Sequence, residues 1–189
     1  MDAFDALTSR LSAPALQPPE PDAATLERIL SAAANAPDHG KLKPFRFILI
    51  RGRARLAFGE VCAAALKRRQ PEVDPAELDR ERQKALRAPL IVVVAAKVAT
   101  GHKIPEIEQI LAAGAAAQNL FLATHAAGFG AMWKTGAAAY DADVKQALGL
   151  APEDAIVGFM YLGRPDRALP PRPAKSVTEL VQEWQGPAA

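Results

Sequence analysis

Three groups of residues in this chain have the types and spacing to do chemistry. Near the start, Ser9-Arg10-Leu11-Ser12 sets a guanidinium and a hydroxyl two residues apart at a predicted helix end. Such a pair can grip a phosphate, the Arg supplying charge and a planar fork of donors. An exposed Arg beside a helix-ending Ser is equally ordinary surface. The second group is Asn35-Ala36-Pro37-Asp38-His39-Gly40-Lys41-Leu42-Lys43-Pro44-Phe45. A helix stops at Pro37, a polar loop carries His39, Lys41 and Lys43, and a hydrophobic strand follows at once. His39 reads either as a ligand-facing group or as a helix C-terminal cap. The third group is Gly128-Phe129-Gly130-Ala131-Met132-Trp133-Lys134-Thr135-Gly136. Its glycines let backbone approach a ligand closely. Taken alone, it is also a helix–strand turn with a core Trp.

Other candidates carry less. Glu106 and Glu108 lie two apart, so on a helix they do not face each other and make no acid–base pair. His102 and Glu106 could share a metal or substrate pocket, but three scattered His residues do not make a metal site, and no metal is expected. Cys62 is the only cysteine; it excludes an internal disulfide and reads as a buried structural thiol. Arg172, in Pro170-Pro171-Arg172-Pro173, is either a phosphate contact or a solvated linker Arg.

The chain has 189 residues, which suggests one domain spanning 1–189 with a full core. A net charge of +2 implies neither nucleic acid nor an anionic membrane as a partner. The acidic start Met1-Asp2-Ala3-Phe4-Asp5 has no apolar signal region, and no apolar run reaches the ~18 residues of a membrane span. A soluble cytoplasmic protein is the expectation.

Periodicity predicts the elements that must position these groups. Phe4, Leu7 and Leu11 fit a short amphipathic helix over 2–11. Asp22 can cap a helix whose core face is Leu26, Ile29, Leu30 and Ala33. A strand is predicted over 45–51, and a helix over 54–69 with Leu56, Phe58 and Val61 inward. Asp74-Pro75 opens another helix with a solvated charged face. The run Leu90 to Lys97 is short and β-branched, so it predicts a central strand covered on both faces. Residues 106–128 predict the longest helix, apolar nearly all round and hence buried, with small residues 112–116 admitting a close neighbour. Strands over 131–134 and 155–162, a short helix over 141–148 and a last helix over 176–184 complete the pattern. The proline-rich segment 164–175 reads as an extended arm. No Gly-x-Gly-x-x-Gly follows an early strand, so a Rossmann site is unsupported. The class is α+β.

The order and spacing of the three groups, from Arg10 to Leu162-Gly163-Arg164-Pro165, resemble the short branch of the nitroreductase family. That family opens with Arg-Arg-Ser, where Arg10 and Ser12 match and Leu11 replaces the second Arg. Its flavin loop is matched by Ala36-Pro37-Asp38-His39, with Asn35 in place of an Arg and Lys41 and Lys43 in place of Asn or Ser and of Gln. Its Gly-x-Gly-x-x-Trp-x-Ser/Thr-Gly is matched from Gly128 to Gly136.

The resemblance implies an α+β fold with a mixed central sheet flanked by helices, in an intertwined homodimer whose arm 164–189 wraps the partner. It implies FMN, one per subunit, contacted by Arg10, Leu11, Ser12, Asn35, His39, Lys41, Lys43, Trp133, Lys134, Thr135 and Arg172. It implies NAD(P)H as co-substrate, against Ala123, Thr124, His125, Ala126, Ala127 and Gly128, although His125 also reads as a partly buried structural His. No catalytic side chain is implied, because the cofactor carries the chemistry. The expected activity is NAD(P)H-dependent reduction of nitroaromatics, quinones or related small-molecule electron acceptors. Two other readings stay open: a protein that stores or senses FMN with little turnover, and a flavin-free interaction module.

Overall fold

Among the described residues four aspartates start α-helices, and each does so by the same physics. In the computed structural model, which describes residues 1–173 and 176–187, Asp2 accepts from the amide of Asp5 at 2.8 Å and opens α1 (Ala3–Ser9). Asp22 accepts from Thr25 at 2.8 Å and opens α2 (Ala23–Ala34). Asp74 opens α4 (Pro75–Lys84) with Pro75 at the first position, and Asp141 opens α6 (Ala142–Ala147). Each satisfies amides that a helix start leaves without partners. The other helices are α3 (Ala54–Arg69) and α5 (Glu106–Ala126), the latter preceded by Pro105.

The strands are β1 (Leu16–Gln17), β2 (Phe45–Arg51), β3 (Leu90–Ala96), β4 (Gly130–Lys134) and β5 (Ala155–Pro165). They form one sheet in which β3 lies between β2 and β5, and both β4 and β1 pair with β5. All seven residues of β3 are buried. Alternation splits them between two cores. Ile91 and Val93 join Phe58, Cys62 and Tyr161 under α3. Leu90, Val92 and Val94 join Ile29, Leu120 and Phe121 under α2 and α5. Each such side chain contributes about 1.5–3 kcal/mol by leaving water, so a sheet covered on both faces is the stable solution. No helix among the described residues is long and apolar enough to cross a membrane.

The structure corrects several sequence expectations. The sheet was expected to be mixed, but every pairing among the described residues is antiparallel. β1 lies in a proline-rich stretch that carries no strand signal. In α3 the core face is Phe58, Cys62, Ala65 and Leu66, while Leu56 is exposed and Val61 half-buried. The inward face is set by where α3 crosses β2 and β3, which periodicity alone does not fix. The expected last helix is a single 3-10 turn, Thr178–Leu180, in otherwise irregular chain. A segment that short needs tertiary packing to stay helical, and Val177, Leu180, Val181 and Trp184 are all exposed.

α5 differs most usefully. It was expected to be buried all round, yet one stripe stays open. Ile107 and Leu111 are exposed, and Gly114, Ala115, Gln118 and Leu122 are half-buried. Their spacing of four, three, one, three and four residues is that of a helix-pairing seam. The apolar stripe of α1 is likewise outward: Phe4 and Leu7 are exposed, and only Ala6 is buried.

Candidate functional site

At the C-terminal end of α5, two arginines meet without an acid. Arg10 ends α1, and its guanidinium carbon lies 4.3 Å from the ring centre of Phe121 on α5. The Nε of Arg10 is shielded from solvent and has no hydrogen-bond partner. From the arm, Arg172 donates through Nη1 to the carbonyls of Arg10 at 3.0 Å and Leu7 at 3.4 Å. Burial, and then the charge of Arg172, holds the Arg10 guanidinium below its ordinary value. Neither arginine forms an ion pair among the described residues. Like charges crowd at a helix end with a shielded donor left over, which is the donor set of an anion site. The open cleft beside it has a volume of about 810 Å³ and is walled by Ser9, His125 and the arm from Leu169 to Pro173.

His125 is held by this cluster. The Ser9 hydroxyl donates to the Asp5 carbonyl at 2.6 Å and lies 2.9 Å from His125 Nε2. With its single hydrogen so used, Ser9 accepts from Nε2–H, which fixes the hydrogen on that nitrogen. Burial, and then Arg10, holds the imidazole below its ordinary value. Ser12 is exposed and Leu11 half-buried beside this cluster.

The flavin-loop candidates lie at the other end of α5. His39 pairs through Nδ1 with Glu108, in the first turn of α5. Gly40, Lys41 and Lys43 have φ of 72°, 56° and 50°, so three of four consecutive residues are left-handed. The Lys43 amide donates to Asp38 at 2.6 Å, and Arg46 donates to the Lys43 carbonyl at 2.9 Å; these bonds hold the turn. Both lysine side chains are exposed. Asn35 caps the end of α2, its amide donating to Ser31 O at 2.9 Å. From Glu108 to His125, α5 rises about 25 Å at 1.5 Å per residue. One chain therefore does not bring the His39–Lys43 loop and the Arg10 cluster to the same small cofactor.

The third group is divided. Trp133 donates from Nε1 to Val157 O at 3.2 Å and packs into the α2–α5 core. Its indole N–H is thus occupied within the sheet. Lys134 and Thr135 are exposed at the end of β4, whose outer edge has no strand beside it among the described residues. Of the segment 123–128, Thr124 is buried with its hydroxyl on Leu120 O at 2.8 Å, and Ala123 is half-buried. Ala126, Ala127 and Gly128 are exposed, and the Gly128 carbonyl accepts from Arg164 at 2.7 Å. His102 accepts from the Ile104 amide at 3.0 Å and so closes its own loop, and no group of acidic, His or Cys residues among the described ones could hold a metal.

Sequence reasoning included Ser9 beside Arg10 without giving it a role toward His125, and it missed Phe121, which lies under Arg10 and reads as an ordinary helix position. It also missed Arg87 and Tyr161, which meet Lys134 in a cleft under α3.

The family model described as "Nitroreductase family" matches residues 7–164. A protein of Escherichia coli (strain K12), named "Putative NAD(P)H nitroreductase YdjA", is 39% identical over 171 residues, covering 87% of this chain and 89% of its own. A "Putative NAD(P)H nitroreductase" of Haemophilus influenzae is 35% identical over 164 residues, covering 86% and 88%. Among solved structures, a nitroreductase-like family protein from Bacillus cereus superposes with a TM-score of 0.83 at 22% identity, over 98% of this chain and 97% of that one. The FMN and NADPH-dependent nitroreductase NfnB from sphigopyxis sp. strain HMH gives 0.76 at 21%, over 98% and 100%. These two show the fold.

Proposed function

Because the chain belongs to the nitroreductase family, we propose that it is an FMN-dependent oxidoreductase that uses NAD(P)H to reduce nitroaromatic, quinone or related acceptors. The observation that carries this reading is the acid-free pair Arg10–Arg172 with the shielded Nε of Arg10. Those donors, with the Ser12 hydroxyl, fit the phosphate of FMN, a dianion that would relieve the crowding of two guanidinium groups. When bound, FMN supplies two-electron chemistry between the nicotinamide and the acceptor.

The chain's own residues bind and tune. Lys134 and Thr135, at the free edge of β4, offer backbone groups and side chains to the ring system. Lys41 and Lys43 offer positive charge and His39 a ring nitrogen, but from the far end of α5. A second copy resolves this. If two α5 seams pair antiparallel, the His39–Lys43 loop of one chain comes to the Arg10 cluster of the other. The small residues Gly114 and Ala115 at mid-seam permit the close crossing such a pair requires. The exposed apolar residues of the arm, Leu180 and Trp184 among them, would then lie on the partner. We assign no side chain as proton donor.

Mixing the anaerobic flavin-loaded protein with NADH or NADPH in a stopped-flow spectrometer tests the reading. Bleaching of the flavin within seconds, with reoxidation by a quinone, is expected. Flavin that binds but stays oxidised under excess nucleotide would instead assign storage or sensing.

A further inference from the structure

We propose that the cleft bounded by α3, α4 and the end of β4 is the acceptor subsite, and that it selects flat aromatic acceptors bearing an anionic substituent. This rests on the flavin reading above, since the cleft's inner wall is Lys134 and Thr135, the residues assigned to the cofactor's ring.

The floor is aromatic. Phe58 and Phe159 lie 5.5 Å apart with planes inclined by 53°, and Tyr161 completes the surface. The cavity is about 390 Å³, in the range that takes one small aromatic ligand. Tyr161 is 8% exposed, and its hydroxyl has no hydrogen-bond partner among the described residues. Burial, first, pushes its phenol up to about 12. It therefore stays protonated and can donate to a nitro or quinone oxygen.

The charges on the rim are not balanced locally. Arg69 is committed to Asp141, and Lys84 to Glu81. Arg87 and Lys134 have no carboxylate partner among the described residues, and Glu77 at the outer lip is the one acid likewise without a cation. Arg87, Lys134 and Tyr161 also line a smaller adjoining cavity of about 130 Å³ with Met132 and Leu16. Two free cations and a free hydroxyl thus converge where the two cavities meet, beside the proposed flavin. A ring with a carboxylate or sulfonate would satisfy all three, whereas a neutral ring leaves both cations unpaired.

Calorimetric titration of the flavin-loaded protein with 4-nitrobenzoate and with nitrobenzene tests this, alongside steady-state reduction of both. The anion should bind about tenfold tighter, the scale of one charge-assisted hydrogen bond. Arg87→Gln should remove most of that preference, acting through KM. Its effect on nitrobenzene should be the smaller one, since that ring carries no charge for Arg87 to pair. Tyr161→Phe should weaken both ligands alike. Equal affinity for the two ligands, or equal loss of both in Arg87→Gln, would overturn the assignment. If NAD(P)H never reduces the flavin, the functional reading fails, while the binding isotherms still decide the cleft.

Discussion

Lys43 departs from its family pattern and also pays a conformational cost. At φ 50° it occupies the left-handed region, which costs an L-residue roughly 1 kcal/mol or more. The turn bonds to Asp38 and Arg46 hold it there. A cation beside the ring favours a negatively charged reduced flavin. Lys43→Gln should therefore lower the flavin potential by about 20–30 mV, on the order of 1 kcal/mol for a two-electron couple. Potentiometric titration decides it, and an unmoved potential removes Lys43 from the site. His125, hydrogen-bonded beside the Arg10 cluster, would report on the proposed cofactor from its phosphate end. Its folded-state value lies below the ordinary histidine value, first through burial and then through Arg10. As pH falls through that ordinary value, the unfolded chain binds a proton that the folded chain resists. Stability from neutral His125 is therefore complete above about pH 6.5 and is lost as pH falls toward the lower folded value. FMN phosphate beside Arg10 should raise the His125 value. Imidazole NMR titrations with and without FMN check this; identical curves would place the phosphate elsewhere. That Arg10 ends a helix and that Lys41 and Lys43 lie exposed in a loop was legible in the sequence, because charge in a loop or at a helix end is visible by type. The partnerships of Arg10 with Phe121 and of Ser9 with His125 were not, because they join residues more than a hundred positions apart.

At the scale of elements, β4 and β5 form a matched pair. Trp133 lies over Gly158, where a built Cβ would come within 2.2 Å of the indole Nε1. Gly158 is thus required by its neighbour rather than by its own backbone angle. Gly158→Ala must displace the indole and break its bond to Val157 O. We expect a loss of about 2–3 kcal/mol, seen as a Tm lower by about 4–12 °C. The double variant with Trp133→Phe should recover part of it. An unchanged Tm would mean that the indole is not locked there. Strand β3 was legible from its unbroken β-branched run, and the capped starts of α2 and α4 from Asp22 and Asp74-Pro75. β1 and the true core face of α3 were not, because both are set by contacts with distant strands rather than by local pattern.

The whole molecule presents more apolar surface than one chain can use. The α5 seam, Phe4 and Leu7 on α1, and Val177 to Trp184 on the arm all face outward. Surfaces of this kind mark interfaces, and a shared interface would bring the loop charges to the arginine pair. The sequence pointed to the long helix and, through its small residues 112–116, to a close neighbour, but not to which residues stay open, since an Ala-rich helix reads as buried whichever chain covers it. Leu111→Glu puts a charge in the seam and should convert dimer to monomer in sedimentation. If each site draws on both chains, the same variant should weaken FMN binding at least about tenfold, the loss of one or more charge-assisted contacts, although Leu111 is far from Arg10 along the helix. The most direct measurement is the flavin content and mass of the purified protein and of Leu111→Glu, by absorbance with sedimentation equilibrium. We predict one FMN per chain in a dimer, and a largely colourless monomer for the variant. A wild-type chain that is colourless and takes up no added FMN, or a monomer that holds FMN as tightly as the wild type, would contradict the account.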